Sequence, residues 1–196
     1  MNHVARAAVA ALAVVVLAAC GGNGDGAAEN SDHNRADVTF LRQMIPHHRQ
    51  AVMMANSAQT RDARQEVRDL AARIEEAQER EIDQMFDWLE DWDEDFGHGD
   101  MGGMGRYDED DGDDDGMMGG GNGMMSGGQM RDLFLARGAE FDRLFLTLMI
   151  EHHEGALEMT AEEQAEGESR AVIALAGAME ESQTAEIVEM KALLAG

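Results

Sequence analysis

The chain has 196 residues, with 40 acidic side chains against 15 Lys and Arg and a formal charge of −25. That charge repels phosphates and argues against nucleic acid and anionic lipid surfaces as partners. A single Cys excludes an intramolecular disulfide and a Cys-paired zinc ribbon. Aromatics make up 5% of the residues, so the core has to come from Ala, Leu, Val, Ile and the 16 Met.

Residues 1–19 read as a secretory signal. The apolar run from Ala7 to Leu17 is 11 residues long, short of the roughly 20 that a membrane-spanning helix needs. It ends in Leu17-Ala18-Ala19-Cys20, the form of a bacterial lipobox, so Cys20 is the expected lipidation site and the first mature residue. An ordinary signal cut nearby, leaving a free thiol, is the alternative. Residues 20–34 then form a flexible Gly/Asn/Asp tether, which places the working part outside the cytoplasm on a membrane anchor.

The rest is a duplication. Residues 37–89 align without a gap on residues 142–194. The first dense stretch pairs Asp37, Phe40, Leu41, Met44, Ile45, His47, His48, Ala51 and Met54 with Asp142, Phe145, Leu146, Met149, Ile150, His152, His153, Ala156 and Met159. The second includes Gln78 with Gln183, Glu81 with Glu186, Ile82 with Ile187 and Met85 with Met190. In each copy the apolar residues step by three and four, as on one face of a helix. Phe40, Met44, His47, Ala51 and Met54 form one stripe; Val67, Ala71, Ile74, Gln78, Ile82 and Met85 form the next. The breaks fall at 57–64 and 166–169. Two helical hairpins, 35–95 and 130–196, are each too small to bury their own stripes, and the expected fold is one all-α four-helix bundle. Two separate hairpins pairing with another chain are the alternative. Pro46 falls inside the first helix and predicts a kink there. The connector, residues 96–129, holds 13 Gly, 6 Met and 8 acidic residues, with no helical or strand period, and is expected to be disordered.

The strongest chemical signal is the duplicated Met-x-x-His-His-x-x-x-x-x-Met. Imidazole suits Cu, Zn, Fe and Ni, and thioether selects soft Cu(I). Met44, His47, His48 and Met54, with Met149, His152, His153 and Met159, are therefore the candidate ligands, with copper or silver favoured over zinc. The competing reading is a core in which Met fills space and His is a satisfied polar group. Gln78 and Gln183 interrupt apolar stripes at the same repeat position, and a buried amide needs a partner; each is expected to hydrogen-bond a His as an outer partner of the metal site. Glu75, Glu81, Glu180 and Glu186 flank the stripe and read as solvated helix faces. In the connector, Met101, Met104, Met117, Met118, Met124 and Met125, with His98, are auxiliary candidates for a soft cation.

The phrases FLRQMIPHHRQAVMMA and FLTLMIEHHEGALEMTAEE, with LAARIEEAQEREIDQMFDWL between them, resemble the bacterial family called domain of unknown function 305. That family is similar to the ferritin-like four-helix bundles, and the resemblance covers about residues 36–92 and 137–194. It implies an exported Met/His-rich protein, with some members linked to copper binding or tolerance, and carries over the eight Met and His ligands named above. Di-iron ferritin-like proteins use a Glu-x-x-His motif; here Met44 and Met149 stand where that Glu would be, which disfavours a di-iron oxidase. Three functions remain open. The first is sequestration or transfer of Cu(I) without turnover. The second is a ferritin-like redox enzyme, and the third a metal-free envelope interaction protein. No nucleophile triad, phosphate loop or basic patch supports a hydrolase, nucleotide or nucleic-acid function.

Overall fold

Four long apolar stripes have little but one another to cover them, and the architecture follows from that. The computed structural model describes residues 33–94, 96 and 122–196. Helix α1 spans Arg35–Ser57 and is followed by a 3-10 turn at Ala58–Thr60. Helix α2 spans Gln65–Asp91, a short α3 spans Gly127–Leu135, α4 spans Gly138–Glu166 and α5 spans Arg170–Ala195. The described residues contain no strand, and none of their helices is long and apolar enough to cross a membrane. Helix α1 packs on α2, α4 packs on α5, and α1 against α4 forms the seam between the two halves. Helix α1 runs through Pro46 without a break.

The helix starts are built from short polar side chains. Asn34 caps α1 by accepting from the backbone amides of Ala36 and Asp37, and Asp37 accepts in return from the Asn34 amide at 2.6 Å. This is a reciprocal capping box. Asp37 also reaches across the seam, where its carboxylate accepts from the amides of Glu168 and Ser169, just ahead of α5, at 3.2 and 3.0 Å. Its repeat partner Asp142 does the same in the other direction and accepts from the Arg64 amide, just ahead of α2, at 3.2 Å. The beginning of each inner helix is thus fastened to the far end of the other hairpin, so α1 and α4 run antiparallel. Asp37→Ala removes the reciprocal half of the α1 capping box and orphans two amides before α5. It is expected to lower unfolding free energy by about 2–3 kcal/mol, with Asp142→Ala, which loses one donor, at about 1 kcal/mol. Urea midpoints check this, and equal effects would refute the asymmetry.

Two apolar clusters fill the bundle. One joins Ala51, Met54, Val67, Leu70, Ile74, Phe141, Phe145, Met149, Ile187 and Met190. The other joins Phe40, Leu41, Met44, Met85, Leu89, Ala156, Met159, Val172 and Met179. Along every long helix the sequence passes from one cluster to the other through a polar stretch: His47 and His48 on α1, Gln78 on α2, His152 and His153 on α4, Gln183 on α5. All six side chains are buried. A polar belt therefore crosses the middle of the bundle.

The connector departs from expectation at both ends. Phe96 packs edge-on against Phe86, with centroids 4.9 Å apart, and the Arg49 guanidinium lies 5.0 Å from the Phe86 ring centre. At the other end, residues 122–129, expected from sequence to be disordered, are ordered, and α3 begins among them at Gly127. Ser126 and Gln129 form a second capping box. Met125, Met130 and Leu133 then bury themselves against the first cluster, which is why this stretch is ordered: it covers apolar surface that the four long helices leave open.

Candidate metal centre

The His pairs stand at the midpoints of the two inner helices, so antiparallel packing brings them together. The His47 and His152 rings lie 3.7 Å apart between centroids, tilted by 34°. They are the innermost pair, and His48 and His153 sit outside them, each 6.3 Å from its chain neighbour. The side chains of His48 and His153 are fully buried.

Burial sets the charge state of the inner pair. It pushes the His47 pKa down to about 3, helped by repulsion from His48 and opposed by the Asn122 carbonyl. The pKa of His152 is likewise far below the usual value, first through burial and then through repulsion by His47, His153 and His48. Both rings are therefore neutral at physiological pH, the state in which an imidazole nitrogen can bind a metal.

The outer nitrogens have partners of one kind. His48 Nε2 donates to Glu81 Oε2 at 2.7 Å, and His153 Nε2 donates to Glu186 Oε2 at 2.7 Å. His47 Nε2 donates to the backbone carbonyl of Asn122 at 2.9 Å. Since a carboxylate or carbonyl can only accept, these three rings carry a proton on Nε2, and the neutral His47 ring has its lone pair on Nδ1. The Nδ1 atoms of His47, His48 and His153, and both nitrogens of His152, are buried without a hydrogen-bond partner. Metal-binding imidazoles commonly have this arrangement, with one nitrogen tied to an acceptor and the other bare.

Here the sequence reading requires correction. Gln78 and Gln183 do lie in the belt, both 3% exposed. They do not take the His nitrogens: Gln78 Oε1 and both polar atoms of Gln183 lack partners. Glu81 and Glu186, read from sequence as solvated, hold His48 and His153 instead. Their repetition was visible in the sequence, but not that one helical turn beyond the glutamines a carboxylate can outcompete an amide for an imidazole N–H, because the bond is charge-assisted.

The methionines are placed by the same antiparallel crossing. Met44 of the first copy shares a cluster with Met159 of the second, and Met54 shares the other cluster with Met149. Each side of the His belt thus receives one methionine of the repeated motif from each repeat, all four buried. Among the described residues no three His, Cys, Asp or Glu side chains converge to form a cage, so a metal held here needs sulfur or a two-nitrogen site. A cleft of about 460 Å³ opens beside the belt, lined by Phe40, Gln43, Asn122, Met159, Glu162 and Glu163 among others. Arg35 and Glu166 also line it, and Met159 is the one methionine in its lining. Of the auxiliary candidates, Met125 is buried in the cluster that holds Met54 and Met149, and Met124 is half-buried. His98, Met101, Met104, Met117, Met118 and the lipidation site Cys20 lie outside the described residues.

No curated protein matches the chain. Among solved structures, a DUF305 protein from Streptomyces coelicolor is 32% identical, covers 82% of this chain and 92% of its own, and superposes with a TM-score of 0.69. CopM in its Cu(II)-bound form is 31% identical over 81% of this chain and 95% of its own, TM-score 0.65. CopM in its Cu(I)-bound form is 28% identical over 80% and 94%, TM-score 0.62. The family description "Domain of unknown function (DUF305)" matches residues 37–194, spanning both hairpins and the His belt between them, and the chain belongs to the DUF305 family.

Proposed function

We propose that this is an extracytoplasmic, lipid-anchored protein that binds Cu(I) in the bundle and sequesters it or hands it on without turnover. The observation that carries the reading is the meeting of His47 and His152: two buried, neutral imidazoles with bare nitrogens, flanked by one methionine of the repeated motif from each repeat on either side. Such a donor set is soft and favours Cu(I) over hard ions. CopM, a structural neighbour with about 30% identity, has been crystallised with Cu(I), Cu(II) and silver, which supports the same choice. His47, His48, His152 and His153 supply nitrogen, and Met44, Met54, Met149 and Met159 supply sulfur. The net charge of −25 draws cations toward the surface. Anchoring through Cys20 would hold the protein at the outer face of the cell membrane.

A ferritin-like redox enzyme has less support. Its chemistry calls for carboxylates beside the His, and Met44 and Met149 occupy those positions. The carboxylates that do approach, those of Glu81 and Glu186, hold the outer nitrogens instead.

Competition of the protein with a chromophoric Cu(I) chelator tests the proposal. Tight binding is expected in the wild type, with a loss of at least about a hundredfold when His47, His48, His152 and His153 are all changed to Ala, since altering outer partners alone costs about 10–100-fold. Binding retained in that variant would move the site to the connector methionines.

A further inference from the structure

Gln50 and Gly155 are repeat-equivalent positions beside the His belt at which the two halves differ. Both contact the incoming end of the connector. Gln50 clasps it: its amide nitrogen donates to the Met125 carbonyl at 2.9 Å, and its amide oxygen accepts from the Met125 amide at 2.6 Å. Gly155 makes room for it. A Cβ at 155 would lie 2.0 Å from the Asn122 oxygen and 2.4 Å from the Gly123 nitrogen, closer than backbone atoms can approach. The turn is shaped to fit. Asn122 has φ 56° and Gly123 has φ 76°, and a Cβ on Gly123 would meet the Glu151 carbonyl at 2.6 Å. The outcome is that the Asn122 carbonyl rests on His47 Nε2 at 2.9 Å, while the facing His152 makes no hydrogen bond of good geometry and has only a weak contact with the His47 backbone.

We propose that Asn122, through its backbone carbonyl, is a positioning residue that makes the two central imidazoles unequal ligands. This deepens the copper reading above and rests on it. The carbonyl fixes His47 as the Nε2–H tautomer and leaves Nδ1 as its only donor atom. His152, held only by its weaker contact with the His47 backbone, is freer to adapt its tautomer to the ion. His47 is then the fixed anchor of a soft cation and His152 the adjustable ligand. Glu81 and Glu186 fix His48 and His153 in the same sense, so the inner pair alone is asymmetric. The asymmetry comes from the connector and not from the repeat. It is imposed by backbone, so it depends on the space at Gly155 and the clasp at Gln50 more than on the Asn122 side chain.

The test combines a metal-free reading with a copper reading on the full chain. Long-range proton–nitrogen NMR without metal is expected to show His47 as a single Nε2–H tautomer. Gly155→Ala, which expels the turn, is expected to give a mixed His47 tautomer and a Cu(I) affinity weakened by about 10–100-fold. Asn122→Gly keeps both the carbonyl and the positive φ and is expected to leave tautomer and affinity as in the wild type. Gln50→Ala loosens the same turn without a steric clash and serves if Gly155→Ala does not fold; its expected effect has the same direction and a smaller size. Wild-type His47 found as the Nδ1–H tautomer would overturn the proposal. So would a mixed tautomer in either turn-loosening variant with unchanged copper affinity, and the copper reading would then stand. A wild-type chain that takes up no Cu(I) overturns both, and a fixed tautomer in the metal-free spectrum would then show that the turn docks for another reason.

Discussion

Replacing both central imidazoles by apolar side chains, His47→Leu with His152→Leu, is expected to stabilise the metal-free protein while abolishing its response to copper. Three of the four ring nitrogens of this pair are buried without a hydrogen-bond partner, and each such atom costs about 1–3 kcal/mol. Leu is close to His in volume, so the change removes polarity without opening a cavity. The Asn122 carbonyl loses its donor, but Asn122 is an exposed residue, so water can reach that turn and limit the loss. The net gain is about 2–3 kcal/mol, read as a higher urea midpoint. With copper present the order reverses. A ligand that binds only the folded state adds RT ln(1 + [L]/Kd), about 4 kcal/mol at a thousandfold excess over Kd. Wild type gains this and the variant does not. A variant less stable than wild type without metal would show that the two rings are ordinary packing residues, and the crossing of the two rankings would be gone.

The second large effect concerns pH. Glu163 is 1% exposed and occupies the repeat position that is the buried Ala58 in the first half. Burial, with a hydrogen bond to Asp37 and repulsion from its charge, pushes the Glu163 pKa up to about 8. Burial also acts to raise Asp37, but the donors around it outweigh burial: the amides of Asn34, Glu168 and Ser169, and the Glu163 carboxyl. The pair therefore shares one proton, held by Glu163. Because this pKa is raised on folding, the stability it contributes is complete below about pH 4.5 and is lost as pH climbs through 8. The shift of about 3.5 units corresponds to at most about 5 kcal/mol, and relaxation around the ionised group reduces this to about 2–3 kcal/mol. His47 and His152 have the opposite sign. Their pKa values are lowered on folding, so their stability is present above the unfolded value of about 6.5 and is lost as pH falls below it, for His47 toward about 3. Two groups that favour high pH and one that favours low pH give a stability maximum near about pH 6.5. Glu163→Gln is expected to keep the bond to Asp37 and flatten the alkaline side of that curve. Denaturation at pH 6, 7, 8 and 9 measures it. An alkaline limb unchanged in Glu163→Gln would show that the slope comes from other groups.

Most of the fold was legible because duplication prints it twice. A stripe such as Met44, His47, Ala51 and Met54 is ambiguous on its own, but its recurrence at Met149, His152, Ala156 and Met159 turns periodicity into architecture. The His pairs and their flanking methionines could be named for the same reason. What escaped the sequence were the cross-helix partners. Asp37 and Asp142 were visible as a repeated pair, yet nothing local says that each fastens the opposite hairpin. Glu81 and Glu186 look like any charged helix face until the bundle closes and brings the imidazoles to them. Residues 122–129 were hidden by the composition of the connector that leads into them. The capping pair Ser126 and Gln129, followed by Met130 and Leu133, was the available clue, and glycine content upstream obscured it. Glu163 broke the repeat at a buried Ala, a departure that a search for identities passes over.

The antiparallel crossing of α1 and α4 has a consequence for how the protein behaves when scarce. A single hairpin of this kind would have to dimerise to build the same centre, with the ions on a two-fold axis between subunits. Its capacity for metal would vanish on dilution below the dimer's dissociation constant. Covalent linkage of two such halves removes that dependence, since the second half is present at an effective concentration set by the tether, on the order of millimolar for a short flexible one. A lone molecule keeps both halves of the His belt together, and the two halves are free to diverge, as Gln50 and Gly155 have done.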